Sequence, residues 1–293
     1  ESPDIVDRLS ASAASAMGLT AGIPMVAGAG DQAANAVGSG IVAPGAVAAS
    51  LGTSGVIFAA SDSFRASPDG ALHAFCHALP GRWHVMSVML SAAGSLRWFR
   101  DTLARDATAR AAAAGVPDYE LLDRDAASVA PGCDGLRFLP TLAGERCPFP
   151  DPHARGAFTG ISLAHGQAHF TRAVMEGVAA SMGLCMKMIR AAGIHPPQVI
   201  GSGGGFESAQ WTSMHATAFG IPIVRAETPD AAARGAAILA AIGAGGLDPA
   251  SLHPASLNIA AVHPDPTQSP FLQALMEEQV LLQRTLRLMK IKK

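Results

Sequence analysis

Asp31 is the residue whose neighbours best equip it for chemistry. It stands in Gly28-Ala29-Gly30-Asp31-Gln32, a glycine turn leading from a short apolar strand, Ile23 to Ala27, into a helix of small residues, Gln32 to Gly38. A carboxylate at such a turn can face a cleft and take the proton of a substrate hydroxyl, the orienting base that phosphoryl transfer uses. An Asp there is also a good helix N-cap, so the segment alone leaves both roles open. The second group is Leu51-Gly52-Thr53-Ser54-Gly55. Its glycines let the backbone approach phosphate oxygens, and two adjacent hydroxyls stand beside exposed N–H groups. An ordinary hairpin turn has the same composition. No P-loop lysine follows it, so that fold is not indicated.

Gly203-Gly204-Gly205 lies between a strand and a helix. Three glycines let a flat group such as adenine or ribose lie on the backbone, and the helix N-terminus favours phosphate. A flexible turn is the plainer reading, and the run is not the dinucleotide pattern G-x-G-x-x-G. Gly144-Glu145-Arg146-Cys147-Pro148, followed by Asp151-Pro152 and Ala154-Arg155-Gly156, reads as a rigid surface loop with ion pairs. His73, His77 and His84 alternate on neighbouring strands without matching carboxylate or Cys spacing, which favours satisfied or exposed histidines over a metal site. Met182, Met186 and Met188 read as core.

These residues need positioning elements. A helix is expected from Ile5 to Met17, stopped by Gly18. Ala46 to Leu51 and Val56 to Ala60 form a hairpin, and His73 to Leu79 with Trp83 to Met89 a second strand pair. A helix is expected from Ser91 to Ala107, a short strand from Leu136 to Leu139, and an ordered loop over 141–160. The clearest helix, His169 to Ala192, carries one apolar face through Phe170, Val174, Val178, Met182, Cys185 and Ile189, with Gly193 placed to cap it. Strand Gln198 to Ile200, helix Ser208 to Phe219, strand Ile221 to Arg225 and a helix near Asp230 after Pro229 complete the pattern. Hairpins followed by alternating helices and strands predict an α/β domain with a mixed sheet.

Composition narrows the function classes. The 293 residues are 49% hydrophobic and 15% charged, with a formal net charge of −2. No basic block could track a phosphate backbone, which argues against nucleic acid; Lys290, Lys292 and Lys293 read as a solvated helix end. Two uncharged stretches, Leu9 to Gly30 and Gln32 to Ser61, are long enough to span a bilayer. Gly, Ser and Pro interrupt both, so they read as buried strands, small-residue helices and turns, with no membrane partner. The four cysteines form no C-x-x-C pair; they read as reduced thiols of a cytoplasmic protein.

In order, Gly28–Gln32, Leu51–Gly55, Gly144–Pro148 and Gly203–Gly205 resemble the FGGY carbohydrate kinases. Gly156-Ala157-Phe158-Thr159-Gly160-Ile161, with His169-Phe170 and Ala173-Val174-Met175-Glu176, is similar to that family's C-terminal signature in residue types and spacing. Phe75–Ala78, Trp83–Met89 and the loop Gly144–Gly156 are similar to the branch of the family that acts on D-xylulose. The resemblance covers nearly the whole chain and weakens past residue 245.

The resemblance implies an α/β fold, a ribonuclease-H-like domain of the actin-like ATPase superfamily shared with Hsp70 and actin. It implies ATP and Mg²⁺ as cofactors and a small sugar as acceptor. Asp31 would be the catalytic base and, with Gln32, touch the sugar; the D-xylulose branch often has Asn where Gln32 stands. Gly52, Thr53 and Ser54 would hold the terminal phosphates, and Gly203, Gly204 and Gly205, with Ser208 nearby, would contact adenosine. The implied reaction converts D-xylulose to D-xylulose 5-phosphate. Ribulose, gluconate or glycerol are alternative acceptors, and a non-catalytic nucleotide-binding module is the alternative of another class. The family's Asp-x-Gly-Thr phosphate loop, which positions Mg²⁺, does not precede Asp31. Residues 1–40 are therefore expected to be the tail of an N-terminal kinase domain, 41–245 the C-terminal nucleotide-binding domain and 246–293 a helical extension. The missing N-terminal domain is the expected partner, and a homodimer through the C-terminal domain is compatible with the family.

Overall fold

A six-stranded mixed sheet organises the chain in the computed structural model, which describes residues 1–225, 230–252 and 260–288. Before the sheet come β1 (Ile5–Arg8), α1 (Ala11–Met17), β2 (Pro24–Val26) and α2 (Asp31–Gly38). The first sheet strands are β3 (Val47–Leu51), β4 (Gly55–Ser61), β5 (His73–Cys76) and β6 (Trp83–Met89). Helices α3 (Ala93–Thr102), α4 (Ala107–Ala114) and α5 (Asp118–Ala127) follow, then the two-stranded pair β7 (Arg137–Leu139) and β8 (Ala157–Thr159). The chain continues through α6 (Gln167–Ala191), β9 (Val199–Ser202), α7 (Ala209–Phe219), β10 (Ile223–Arg225), α8 (Ala231–Gly243) and α9 (Ser269–Leu288).

The strand order is β10-β9-β3-β4-β6-β5. β3, β4, β6 and β5 pair antiparallel, while β9 and β10 run parallel to β3. A parallel return requires a crossover, and the helices between β6 and β9 supply it. On β3, Val47, Ala49 and Leu51 are buried and the residues between them half-buried, the two-residue period of a covered strand. Beneath this face lies α6, buried around most of its circumference from Thr171 to Gly183. The expected single apolar face is too narrow a description, because the sheet, α5, α7 and α9 enclose the helix together. Its one buried ion pair, Arg172 Nε to Glu176 Oε1 at 2.6 Å, also takes the Gly132 N–H and the Ala126 carbonyl, so neither charge is left unpartnered.

Helix α2, which carries Asp31, is fixed by an unusually close crossing with α8. A Cβ on Gly38 would lie 1.8 Å from the Ala231 carbonyl oxygen, and one on Gly235 would lie 1.8 Å from that of Ala34. Backbone therefore meets backbone, and only glycine allows that approach.

Several expectations need correction. Ile5 to Met17 is not one helix: Ile5–Arg8 pairs with β2, and the helix starts only after Ser10, whose hydroxyl accepts the Ala13 N–H. The β-branched pair Ile5-Val6 suits a strand, and Ser10 is a stronger start signal than anything before it. The helix expected over Ser91 to Ala107 ends at Thr102, with Leu103 and Ala104 both folding back onto the Phe99 carbonyl. A new helix, α4, begins after Asp106, and α5 was not expected at all. The strand expected to Leu79 stops at Cys76, where the His77 ring turns inward to meet the Ile41 carbonyl and the Leu79 N–H. The loop over 141–160 contains β8. The uncharged stretch Leu9 to Gly30 is largely exposed, with Ala14 its one buried residue. No helix among the described residues is long and apolar enough to cross a membrane. The four cysteines are free thiols, Cys76 exposed and the other three buried. Pro229 and the lysines of the expected solvated end lie outside the described residues.

Candidate functional site

One end of the sheet gathers most of the candidate residues. β3 runs into the turn Gly52-Thr53-Ser54, and β9, its parallel neighbour, runs into Gly203-Gly204-Gly205. Parallel strands end on the same side, so the two glycine-rich segments meet although some 150 positions separate them. They open onto one cavity of about 610 Å³, lined by Gly52, Thr53, Gly204, Gly205 and Ser208. That size suits a small-molecule cleft.

The three glycines divide their work. Gly203 has φ +90°, and a Cβ there would meet the Leu51 backbone at 2.9 Å. Gly205 presses on the Leu51 side chain, where a Cβ would come within 2.4 Å of Cγ. Gly204 faces open space, with nothing within 4 Å of a Cβ. Two glycines thus pack the turn against β3, and the third presents bare backbone to the cavity. Beyond it a 3₁₀ turn over Gly204–Glu207 leads to Ser208, which caps α7 by accepting the Trp211 N–H and donates to Asp123 Oδ1 at 2.9 Å.

The Thr53 turn is held from behind. The N–H groups of Ala92, Ala93 and Gly94 donate to the carbonyls of Thr53, Gly52 and Thr53, at 2.9, 2.8 and 3.2 Å. A Cβ on Gly94 would lie 2.8 Å from the Thr53 carbonyl oxygen. With its carbonyls turned toward α3, the turn leaves the N–H groups of Thr53 and Ser54 without an intramolecular partner among the described residues. Arg97 Nη2 donates to Thr53 Oγ1 at 3.4 Å, bringing a cation to the same rim. Exposed N–H groups beside a guanidinium form an anion-binding concavity.

The opposite wall is α5, which sequence reasoning missed. Pro117, Tyr119, Glu120 and Asp123 line the cavity, as do Glu207 and Trp211. Burial pushes the Asp123 carboxyl above its ordinary range, and the hydroxyl of Ser208 works against that rise. Pro117 followed by Asp118 and Glu120 is a helix-start signal that could have revealed this wall.

Asp31 does not cap its helix. Gly30 occupies the cap position in extended conformation, and Asp31 is the first helical residue, making no cap bond. Its carboxylate is exposed and, among the described residues, accepts only a long 3.4 Å contact from Gln32 Nε2. Gln32 lines a narrow crevice with Ser50 and Ser202, the residues just before the two glycine-rich segments. The structure thus sets Asp31 at the same end of the sheet as the cavity but outside its lining.

The loop after Gly144 is not a surface loop throughout. Glu145 is 4% exposed and Cys147 fully buried, although Asp151 does pair with Arg287 at 2.8 Å. His84 stacks on Phe58 and is held neutral by burial, with its pKa lowered to about 4. Among the described residues no three His, Cys, Asp or Glu side chains converge to hold a metal ion.

Residues 47–244 match the model of the FGGY family of carbohydrate kinases, C-terminal domain. The xylulose kinase of Escherichia coli (strain K12) is 42% identical over 214 residues, 73% of this chain and 42% of that protein. The gluconokinase of Bacillus subtilis (strain 168) is 32% identical over 247 residues, 84% of this chain and 48% of that protein. A solved xylulose kinase from Brucella ovis superposes with a TM-score of 0.87 at 35% identity, covering 99% of this chain and 58% of its own. The chain thus spans about half the length of the curated relatives it matches.

Proposed function

This chain belongs to the FGGY family of carbohydrate kinases, with the ribonuclease-H-like fold of the actin-like ATPases, and from that premise we propose that it is the nucleotide-binding part of an ATP-dependent ketopentose kinase making D-xylulose 5-phosphate. One observation carries the reading: the Thr53 turn and the Gly204 turn, remote in sequence, line a single cavity. The bare backbone at Gly204 accommodates adenine or ribose. Glu120 and Asp123 offer acceptors to an amino group on a base. Thr53 and Ser54, with Arg97 beside them, offer donors to phosphate oxygens. Gly52 supports the turn, Gly203 and Gly205 seat the glycine run, and Ser208 fixes its exit.

Asp31 is the base in this proposal. Its carboxylate is not spent on capping, which supports a role toward a ligand, and Gln32 beside it contacts the sugar. Taking the proton of the attacking hydroxyl contributes roughly 10²–10⁴ in rate. Mg²⁺ accompanies the triphosphate. A non-catalytic module would have no use for a carboxylate left free at this place. An identity of 42% to a xylulose kinase, against 32% to a gluconokinase, supports D-xylulose over gluconate, and ribulose and glycerol stay as alternative acceptors. Residues 1–40 are read as the tail of a preceding N-terminal half, 41–245 as the nucleotide-binding domain and 246–293 as its helical extension.

Phosphoryl transfer depends on placing both reactants and excluding water, which one wall of a cleft does not achieve. The 293-residue chain is therefore expected to bind ATP in calorimetry. It is expected to release ADP with D-xylulose in a coupled assay only when the N-terminal half is supplied. Robust turnover by the chain alone, or no ATP binding at all, overturns the proposal.

A further inference from the structure

Glu145 is buried without a cation. Its Oε1 accepts the Leu90 N–H at 2.9 Å and the Arg146 N–H at 2.8 Å. No ion pair reaches it among the described residues. Such a group is costly to bury, so these two peptide N–H groups must compensate. The other groups facing it are the thiols of Cys147 on its own loop and of Cys185 on α6, with Ser87 of β6 against Cys185. None of these supplies positive charge.

Leu90 begins the strap that holds the Thr53 turn. Its carbonyl accepts the Ser54 hydroxyl at 3.5 Å, and the next residues, Ala92, Ala93 and Gly94, bond the Gly52 and Thr53 carbonyls. A continuous hydrogen-bonded path thus runs from the Glu145 carboxylate through residues 90–94 to the turn. We propose that Glu145 is a positioning residue for the nucleotide's terminal phosphates, fixing the Gly52–Ser54 turn by anchoring the Leu90 peptide. The proposal rests on the reading that this turn meets phosphate.

The ionised carboxylate gives both N–H groups a charged acceptor. Protonation removes the charge that strengthens both bonds and so loosens them. Burial raises the Glu145 pKa to about 7, so the anchor is complete above neutral pH and weakens below it. Glu145→Gln keeps the reach to Leu90 but replaces the charged acceptor with a neutral one, imitating the protonated state.

The test is calorimetric titration of the chain with ATP and with adenosine, at pH 6 and pH 8. At pH 8 the E145Q variant should bind ATP about five- to tenfold more weakly than wild type, and at pH 6 the two should converge. Taking this ratio cancels titration of ATP itself. Adenosine affinity should be the same for both at either pH. Glu145→Asp, which keeps the charge but is one methylene too short for Leu90, should weaken ATP at pH 8 and decides the matter if E145Q does not fold. Equal ATP affinity of a folded variant and wild type at pH 8, or parallel loss of ATP and adenosine, overturns the proposal. A wild-type chain that binds no ATP overturns the reading beneath it as well, and that arm alone identifies which has failed.

Discussion

Residues 47–243 and residues 1–26 treat their apolar side chains in opposite ways. In the first region Leu51, Ile57, Met89, Phe99 and Phe206 are fully or almost fully buried, and the cavity rim is fixed by backbone hydrogen bonds. In the second, Ile5, Val6, Met17, Leu19, Ile23 and Met25 are all exposed. Among the described residues, the longer region exposes the same number of large hydrophobic residues as the first 26 do. An exposed apolar cluster of that density marks a contact surface. The cavity wall is therefore built by this chain's own core, whereas residues 1–26 present apolar surface that the proposal assigns to contact with the N-terminal half.

Replacing the free carboxylate breaks this comparison most sharply. With the N-terminal half supplied, Asp31→Asn should slow turnover by roughly 10²–10⁴, or about 3–5 kcal/mol of barrier. ATP affinity of the chain should not change, because Asp31 stands outside the cavity lining. Unaltered kcat would remove Asp31 from the mechanism, and weaker ATP binding would mean that the two ends are not separate.

Next in size is the joint between them. Gly235→Val drives a side chain into the Ala34 carbonyl and should cost about 3 kcal/mol in urea unfolding. An unchanged midpoint would show that α2 moves aside freely.

The buried interior has its own signature. His215 is fully buried among Phe206, Trp211 and Phe219, and burial lowers its pKa to about 4. Its folded pKa lies below the unfolded value, so its contribution is complete above pH 6.5 and is lost as pH falls toward 4. Between pH 7 and pH 5 that loss is about 2 kcal/mol. Glu145, raised to about 7, has the opposite sign, favouring the fold at low pH and losing that advantage as pH rises through 7. The measurement is therefore the difference between wild type and His215→Leu, whose stability should fall less steeply on acidification. Identical slopes would place the ring in contact with water.

The smallest effect belongs to the rim. A Cβ at Gly204 has no protein atom within 4 Å, so Gly204→Val should keep the melting temperature of the fold while ATP binding weakens about tenfold, or about 1.4 kcal/mol. Undiminished affinity would remove Gly204 from the nucleotide path.

The sequence made some of this legible. Local signals sufficed for the Gly52–Gly55 hairpin, for α6 and for the strand-to-helix glycine run, because turn chemistry and helical spacing act over a few residues. Asp31 read from its own segment as a cap or a base, and the cap was dismissed only by the backbone angles of Gly30, which composition does not display. The break after Thr102 was hidden because no Gly or Pro marks it. Glu145 looked like a surface charge, because its partners are peptide N–H groups, which every sequence possesses and none displays. The exposure of residues 9–30 was misread for a related reason: apolar composition says that a surface wants covering, not what covers it.

The crossing of α2 and α8 limits how this protein can drift in sequence. When two large side chains collide, enlarging one can be rescued by trimming the other. At Gly38 and Gly235 the colliding atoms are peptide carbonyls, and a peptide cannot be trimmed. A methyl group at either position therefore has no compensating substitution at its partner, and the two glycines should be lost only together with the geometry that holds Asp31 in place.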